Sequence, residues 1–197
     1  GWHVAEGNTA TGPGTIGQWG LRLGRLLVDV HRMPVAVLNG ARGGQPIGYF
    51  QRNDSDPEDS STNYGRLLFL CRTAGLTTGV RTMSWYQGEA EQGDGPTHEA
   101  GFVELYQDWK EDFPGLERVY VHQLRTGCSI TDKNDPGLLD LRDRHRRLAD
   151  TFGDISVMST TGLNGNDGCH YAYTNGYKQM GEHLFRIMSR DLYDTQD

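Results

Sequence analysis

Residues Val80–Glu91 read VRTMSWYQGEAE, and this pattern is the main evidence for the fold class. The segment Val80–Tyr86 has the length of a β-strand, and the polar residues Gln87-Gly88-Glu89 follow it directly. A strand that passes straight into polar, glycine-containing sequence ends in a loop. We therefore predict a strand over 80–86 whose carboxyl end carries polar side chains.

Helical and strand patterns alternate on both sides of this strand. Apolar residues recur at helical spacing in five segments, which in chain order are Gly17–His31, Tyr64–Ala74, Phe102–Phe113, Leu138–Phe152 and Tyr177–Ile187. Further short strands are predicted at Val35–Asn39, Arg118–Leu124 and Ile155–Thr160. The order is thus one helix followed by four strand–helix pairs.

Strands that alternate with helices of this length indicate an α/β fold, flavodoxin-like, with three α/β/α layers and a parallel sheet. Ligands bind such sheets outside the carboxyl ends of the strands. We therefore expect the chemistry to lie on the loops 39–47, 86–96, 124–136 and 160–173. A doubly wound sheet normally opens with a strand, however, and this sequence has none before its first predicted helix.

The composition is that of one globular domain, which we predict over residues 1–197. The sequence has 19 Lys+Arg and 26 Asp+Glu, a formal net charge of -7. An acidic balance disfavours nucleic acid as a partner, because a nucleic-acid-binding face is basic. No apolar run approaches the roughly 20 residues of a membrane span, so no membrane partner is predicted either.

The cysteines and glycines give no cofactor motif. Cys71 lies in an apolar stretch and is predicted to be core. Cys128 and Cys169 are too far apart in sequence for a zinc motif of the CxxC type, and whether they form a disulfide is open. Neither a G-x-G-x-x-G fingerprint nor a Walker loop is present, so no cofactor and no metal is predicted.

The strongest chemical signal is Asp167-Gly168-Cys169-His170. A carboxylate three residues before a histidine can accept from one imidazole nitrogen and leave the other nitrogen as a base. The alternative is a loop aspartate that caps the next helix beside a surface histidine. D-x-x-H by itself does not decide between the two.

Two further strand-end segments could complete a site. The amide of Gln87 can donate a hydrogen bond into a crevice, and the glycines of Gly43-Gly44-Gln45-Pro46-Ile47 let backbone N–H groups approach a ligand. Glu89 and Glu91 could also be interpreted as the carboxylate pair of a glycosidase. The plain alternatives are a solvated acidic loop and a tight turn.

Together, in this order along the chain, these segments resemble the SGNH (GDSL-type) hydrolases. They are most similar to the carbohydrate acetylesterase branch, whose members are sialate O-acetylesterase-like. That branch carries a Gly-Gly-[Thr/Ser]-x-Ile block, a Trp-x-Gln-Gly-Glu block and an Asp-x-x-His block. Here they stand as 43–47, 85–89 and 167–170.

The resemblance implies a serine esterase that removes acetyl groups from sugars. His170 would be the general base and Asp167 its orienting carboxylate. The N–H of Gly43 or Gly44 and the amide of Gln87 would hold the oxyanion, so Gln87 and His170 are expected to converge on one cavity. The resemblance also favours a secreted, periplasmic or lysosome-like location.

Three more residues complete the set of candidates. Glu89 is assigned a supporting role. Tyr86 and Tyr171 lie near these loops and could stack on a sugar ring, although aromatic side chains there also serve to fill the gap between a loop and a helix.

The sequence departs from the family at the nucleophile. The family's serine stands in a Gly-x-Ser-Asn type block at the end of the first strand, and both that block and that strand are missing. One explanation covers both: the nucleophile comes from a segment or companion chain upstream of Gly1. Ser129 is the fallback nucleophile within the chain, with Ser84 and Ser159 less suitable.

An alternative function is a non-catalytic SGNH-like module that binds carbohydrate or protein. It would bind ligand without ester turnover even when the upstream segment is present.

Overall fold

The computed structural model describes residues 2–7, 12–91, 93–128, 132–164 and 167–193. Its residues cluster into two compact units. The sheet unit comprises residues 40–160, and the terminal unit comprises residues 1–39 together with 161–197. In chain order, the α-helices of the described residues are α1 (Gln18–His31), α2 (Asn63–Thr73), α3 (Gly95–Asp112), α4 (Pro136–Thr151) and α5 (Lys178–Leu192).

The sheet unit is built on three parallel strands in the order β1-β2-β3. They are β1 (Thr82–Trp85), β2 (Arg118–His122) and β3 (Ile155–Met158). The strands are joined by α3 and α4, as parallel pairing requires, because a parallel neighbour is reached only by a crossover. The fold is therefore α/β with a parallel sheet.

Side-chain caps fix where the helices of the sheet unit begin. The Thr62 side chain accepts from the N–H of Gly65 at the start of α2, and Asp94 and Asp135 do the same for α3 and α4. Each cap satisfies one of the backbone donors that the first helical turn leaves unpaired.

The core of the sheet unit lies around the middle strand. Val119, Tyr120 and Val121 of β2 have no exposed surface, since neighbouring strands bond to both edges of β2 and side chains cover it. On β1, the Trp85 ring makes edge contacts with Phe50 and Trp109. These contacts fix the carboxyl end of β1, which lies two residues before Gln87.

The terminal unit is built on α1 and α5. Arg22 of α1 pairs with Glu182 of α5 at 2.6 Å, and His31 Nε2 lies 2.7 Å from the Ser189 hydroxyl. A Cβ at Gly181 would stand 2.7 Å from the Trp19 carbonyl, so this glycine allows the two helices to approach closely. None of the described helices combines the length and the apolar character that crossing a membrane requires.

The sequence-based prediction of the elements is confirmed with one exception. The five helices and the strands at 82–85, 118–122 and 155–158 lie where the patterns indicate. The strand predicted at Val35–Asn39 is wrong: this segment contains no strand, and Val35 is 36% exposed. A strand forms only with a hydrogen-bonding neighbour, and no described strand pairs with this one.

Candidate active site

The Asp167–His170 pair lies in the terminal unit, in the loop before α5. Asp167 Oδ2 is 2.8 Å from His170 Nδ1, and the two side chains are 54% and 66% exposed. Because a carboxylate only accepts, the proton is on Nδ1, which makes Nε2 the basic nitrogen of the neutral ring. The two residues thus have the geometry of a general base with its orienting carboxylate.

The backbone of the same turn holds the carboxylate in place. Asp167 Oδ1 accepts from the N–H groups of Cys169 and His170, at 2.9 and 2.7 Å. Gly168 adopts a φ of +83°, in the left-handed region that glycine tolerates best. The carboxylate therefore stabilises its own turn with one oxygen and orients the imidazole with the other. It does not cap α5, which begins at Lys178 without a side-chain cap.

These hydrogen bonds also set the charge of the pair. The hydrogen bond from the His170 ring, followed by those from the backbone of His170 and Cys169, lowers the pKa of Asp167 far below the ordinary range of an aspartate. The carboxylate of Asp167 is therefore ionised throughout the neutral pH range and accepts the hydrogen bond from the imidazole there.

Gln87 lies in the sheet unit, just past the end of β1, and is 8% exposed. Its Nε2 donates to the Gln45 carbonyl at 3.1 Å and to Glu91 Oε2 at 2.7 Å. Both N–H bonds of the amide are thus already used. Since an oxyanion needs one of them, it would have to replace one of these two acceptors.

The backbone around Gln87 is tightly packed. Gly88 has a φ of +133°, and a Cβ there would stand 3.1 Å from the Leu124 and Leu141 side chains and 3.3 Å from His98. Glycine is therefore required at position 88 both for the backbone conformation and for the space.

The glycine loop, residues 43–46, also lies in the sheet unit. Gly43 and Gly44 are exposed, and a Cβ at either position would meet no atom of the described residues within 4 Å. The open space beside these two positions leaves their backbone accessible to a ligand. The Gln45 carbonyl ties the loop to Gln87.

Glu89 and Tyr86 flank Gln87. Burial raises the pKa of Glu89 above its ordinary value, against the opposing effects of hydrogen bonds that include one with the Tyr86 side chain. The Tyr86 ring packs against Leu124, Leu138 and Leu141. Tyr86 thus has a packing role in the sheet unit. Glu89 hydrogen-bonds with Tyr86, whereas Glu91 accepts from Ile47 and Gln87.

Tyr171 directly follows His170 of the Asp167–His170 pair, but it is only 2% exposed. Its ring makes an edge contact with Tyr177 at 5.4 Å between centroids. This burial favours the packing role over sugar stacking.

Sequence reasoning missed a buried histidine pair in the sheet unit. His98 of α3 and His145 of α4 have ring centroids 5.0 Å apart, and burial lowers their pKa values to about 4 and about 3. Both imidazoles are therefore neutral at neutral pH, and His98 hydrogen-bonds to the Gln87 backbone. His145 lies within a predicted helical segment, where helical spacing marks a core position without indicating this contact. His98 lies before the predicted segment Phe102–Phe113, so no pattern marked it.

Of the serines considered as fallback nucleophiles, Ser84 lies within β1 and Ser159 is an exposed residue just after β3. Ser129 lies outside the described residues. The described residues contain no group of three or more His, Cys, Asp and Glu side chains that could hold a metal ion.

The three cysteines are in two different states. Cys71 is a free thiol with 1% exposure, which confirms its place in the core. Cys128 and Cys169 are disulfide-bonded. Cys169 lies between Asp167 and His170 in sequence. Because it is disulfide-bonded, it has no thiol that could act as a nucleophile.

A family model described as carbohydrate esterase, sialic acid-specific acetylesterase, matches residues 13–190. The chain therefore belongs to this family of carbohydrate esterases. Family membership supports hydrolase activity of the carbohydrate acetylesterase type. Comparison with curated proteins finds no significant match.

Two solved structures share the fold. A protein from Arabidopsis thaliana superposes with a TM-score of 0.70 at 16% identity, over 92% of this chain and 71% of the other. A carbohydrate acetylesterase from Xanthomonas citri gives a TM-score of 0.73 at 15% identity, over 98% of this chain. This chain spans 47% of the Xanthomonas protein.

Proposed function

We propose that this protein hydrolyses acetyl esters on carbohydrates through an acyl-enzyme, with His170 as the general base. The observation that carries the proposal is the 2.8 Å hydrogen bond between Asp167 and His170, in a chain that belongs to a carbohydrate esterase family. The carboxylate holds the imidazole in the tautomer that accepts a proton at Nε2.

In the proposed first step, Nε2 of His170 takes the proton of a serine hydroxyl as its oxygen attacks the acetyl carbonyl carbon. The tetrahedral intermediate then collapses: the bond to the sugar oxygen breaks, and His170 returns the proton to that oxygen. In the second step, water attacks the acetyl-serine with His170 again as base. Acetate and the free serine are released.

The proposed oxyanion donors are a backbone N–H at Gly43 or Gly44 and the amide of Gln87. For Gln87, the donated N–H is the one that now bonds to the Gln45 carbonyl, because at 3.1 Å this is the longer of its two hydrogen bonds. The oxyanion carries a full charge and is the stronger acceptor, which favours this exchange in the transition state.

We further propose that the serine belongs to a segment or companion chain outside residues 1–197. The sequence holds no Gly-x-Ser-Asn block, because its Gly-x-Ser at 127–129 is followed by Ile130. The middle residue of that Gly-x-Ser, Cys128, is disulfide-bonded. The apolar segment Val35–Asn39 has a strand-like composition but pairs with no described strand, which is what the absence of a neighbouring strand would cause. One added strand that ends in Gly-x-Ser would supply both the pairing partner and the nucleophile.

The test compares residues 1–197 with a protein that also contains the upstream segment, using p-nitrophenyl acetate and an acetylated sugar as substrates. We expect turnover only with the segment. His170→Ala should abolish it, and Gln87→Ala should lower kcat by about 10²–10³. Full turnover by His170→Ala would contradict the assignment of the base.

The same experiment separates esterase from binding module. An extended protein that binds the acetylated sugar without hydrolysing it would favour a non-catalytic carbohydrate-binding function. The alternative nucleophile Ser129 is tested there too, since Ser129→Ala should leave the turnover of the extended protein unchanged.

A further inference from the structure

The buried carboxylate of Glu91 joins the two segments of the sheet unit that carry the proposed oxyanion donors. Glu91 is 7% exposed. Its Oε1 accepts from the N–H of Ile47 at 2.5 Å, and its Oε2 accepts from Gln87 Nε2 at 2.7 Å. We propose that Glu91 is a positioning residue that fixes the orientation of the Gln87 amide and anchors the end of the glycine loop.

The chemistry of the neighbours explains why the orientation is fixed. The end of the Gln87 amide that faces the glycine loop meets the Gln45 carbonyl and the Glu91 carboxylate, and both groups only accept hydrogen bonds. Only the NH₂ end can satisfy them. The opposite orientation would place Oε1 against two other oxygens without a donor between them.

The unused oxygen of the amide supports this explanation. Gln87 Oε1 is buried and accepts no hydrogen bond from the residues that the structure describes. Leaving a buried acceptor without a partner costs free energy. The amide nevertheless keeps this orientation, so the two acceptors at its NH₂ end determine it.

The second contact of Glu91 holds the glycine loop at its far end. Ile47 follows Pro46 directly and is 4% exposed. The Gln51 amide bonds both to the Ile47 carbonyl and to the Gly101 carbonyl of α3. Ile47 is thereby fixed to α3 on one side and to Glu91 on the other.

The catalytic consequence rests on the proposed function, whereas the positioning itself does not. The first experiment therefore uses residues 1–197 without substrate. In the wild-type chain, NMR should show scalar coupling across the hydrogen bond between the Ile47 amide nitrogen and the side-chain carboxyl carbon of Glu91. Absence of this coupling in the folded protein would overturn the proposal.

The second measurement compares Glu91→Gln with Glu104→Gln, which removes a carboxylate from an exposed position of α3. The amide at 91 has one acceptor oxygen where the carboxylate has two, so the Ile47 N–H and the Gln87 amide can no longer both donate to residue 91. The oxygen that remains is neutral and is a weaker acceptor than a carboxylate. We expect hydrogen exchange of the Ile47 amide to accelerate about tenfold or more in Glu91→Gln alone. Equal exchange rates in both variants would contradict the proposal.

The third measurement uses the extended protein that contains the serine. Glu91→Gln should lower kcat about ten- to a hundredfold with little change in KM, because the oxyanion contact is made only in the transition state. In a Gln87→Ala background, Glu91→Gln should cause no further loss, since its effect passes through Gln87. Additive losses would indicate a merely structural role.

An inactive wild-type extended protein would overturn the proposed function. The coupling and exchange measurements would still decide the role of Glu91, so the two failures are distinguishable.

Discussion

Asp167 Oδ2 and His170 Nδ1 lie 2.8 Å apart although both side chains are more than half exposed. An exposed ion pair of two mobile side chains contributes little to stability. Here one partner is not mobile, because the backbone N–H groups of Cys169 and His170 hold the other carboxylate oxygen. The turn itself thus organises the pair before any substrate binds.

The first prediction concerns the titration of Asp167. Its pKa is lowered chiefly by the hydrogen bond from the His170 ring, so the carboxyl should titrate well below an ordinary aspartate. In His170→Ala, the midpoint should rise toward the ordinary value of about 3.9 but stay below it, because the two backbone hydrogen bonds remain. The carboxyl ¹³C shift followed from pH 6 to pH 2 should show the titration of Asp167 in His170→Ala, whereas in wild type it should stay near its ionised value over most of this range.

The sign of the linked effect on stability follows from the lowered pKa. The contribution of Asp167 is fully present above the pKa of the unfolded state, near 3.9, and is lost as the pH falls through the folded value. An Asp167 midpoint that is the same in wild type and in His170→Ala would show that the ring hydrogen bond does not persist in solution.

The hydrogen bond between Asp167 and His170 could be expected from the sequence because all its determinants are local. The two residues are three positions apart, and the hydrogen bonds that orient them lie within the same turn. The three observed strands were predicted for a similar reason, since each is a short segment bounded by turn residues. Local patterns of this kind do not depend on what the rest of the chain provides.

The features that the sequence failed to predict depend on distant partners. Val35–Asn39 has the composition of a strand but pairs with none of the strands of the described residues. The Gln87 amide donates a hydrogen bond to the carbonyl of Gln45, which is 42 positions away in sequence. Composition and spacing carry no information on such pairings.

A second prediction concerns Asp108 of α3, which pairs with Arg52 at 3.1 Å. Burial, together with the neighbouring carboxylates of Asp54, Glu104 and Asp112, outweighs the attraction of Arg52 and raises its pKa to about 6. The folded state therefore binds a proton between pH 6 and about 4 that the unfolded state does not bind. Protonation of Asp108 should therefore increase the free energy of unfolding as the pH falls from 7 to 5.

Urea unfolding of wild type and Asp108→Asn at pH 7 and pH 5 measures this contribution. Other groups titrate in both proteins, so the difference between their pH dependences isolates Asp108. We expect a smaller gain, or a larger loss, on acidification in Asp108→Asn. Identical pH dependences would show that Asp108 titrates normally.

A third prediction compares two glycines of the sheet unit. A Cβ at Gly65 would stand 2.2 Å from the backbone carbonyl oxygen of Asp59, whereas a Cβ at Gly153 would meet no described atom within 4 Å. Gly65→Ala must displace backbone and should lower the free energy of unfolding by about 1–3 kcal/mol. Gly153→Ala should change it by no more than about 0.5 kcal/mol.

Chemical denaturation of the two variants beside wild type tests this pair. Each substitution adds the same methyl group, so any effect of the group alone cancels in the comparison. Equal stability of Gly65→Ala and Gly153→Ala would contradict the packing described between the start of α2 and the Asp59 turn.

A fourth prediction counts the thiols that react with iodoacetamide. The sequence has three cysteines, of which Cys128 and Cys169 are disulfide-bonded and Cys71 is free but buried. Burial also raises the pKa of the Cys71 thiol, which lowers the fraction of reactive thiolate. The native protein should therefore bind almost no label, the denatured unreduced protein one equivalent, and the denatured reduced protein three. Mass spectrometry gives each count directly, and three labels without reduction would mean that Cys128 and Cys169 are not oxidised in the purified protein.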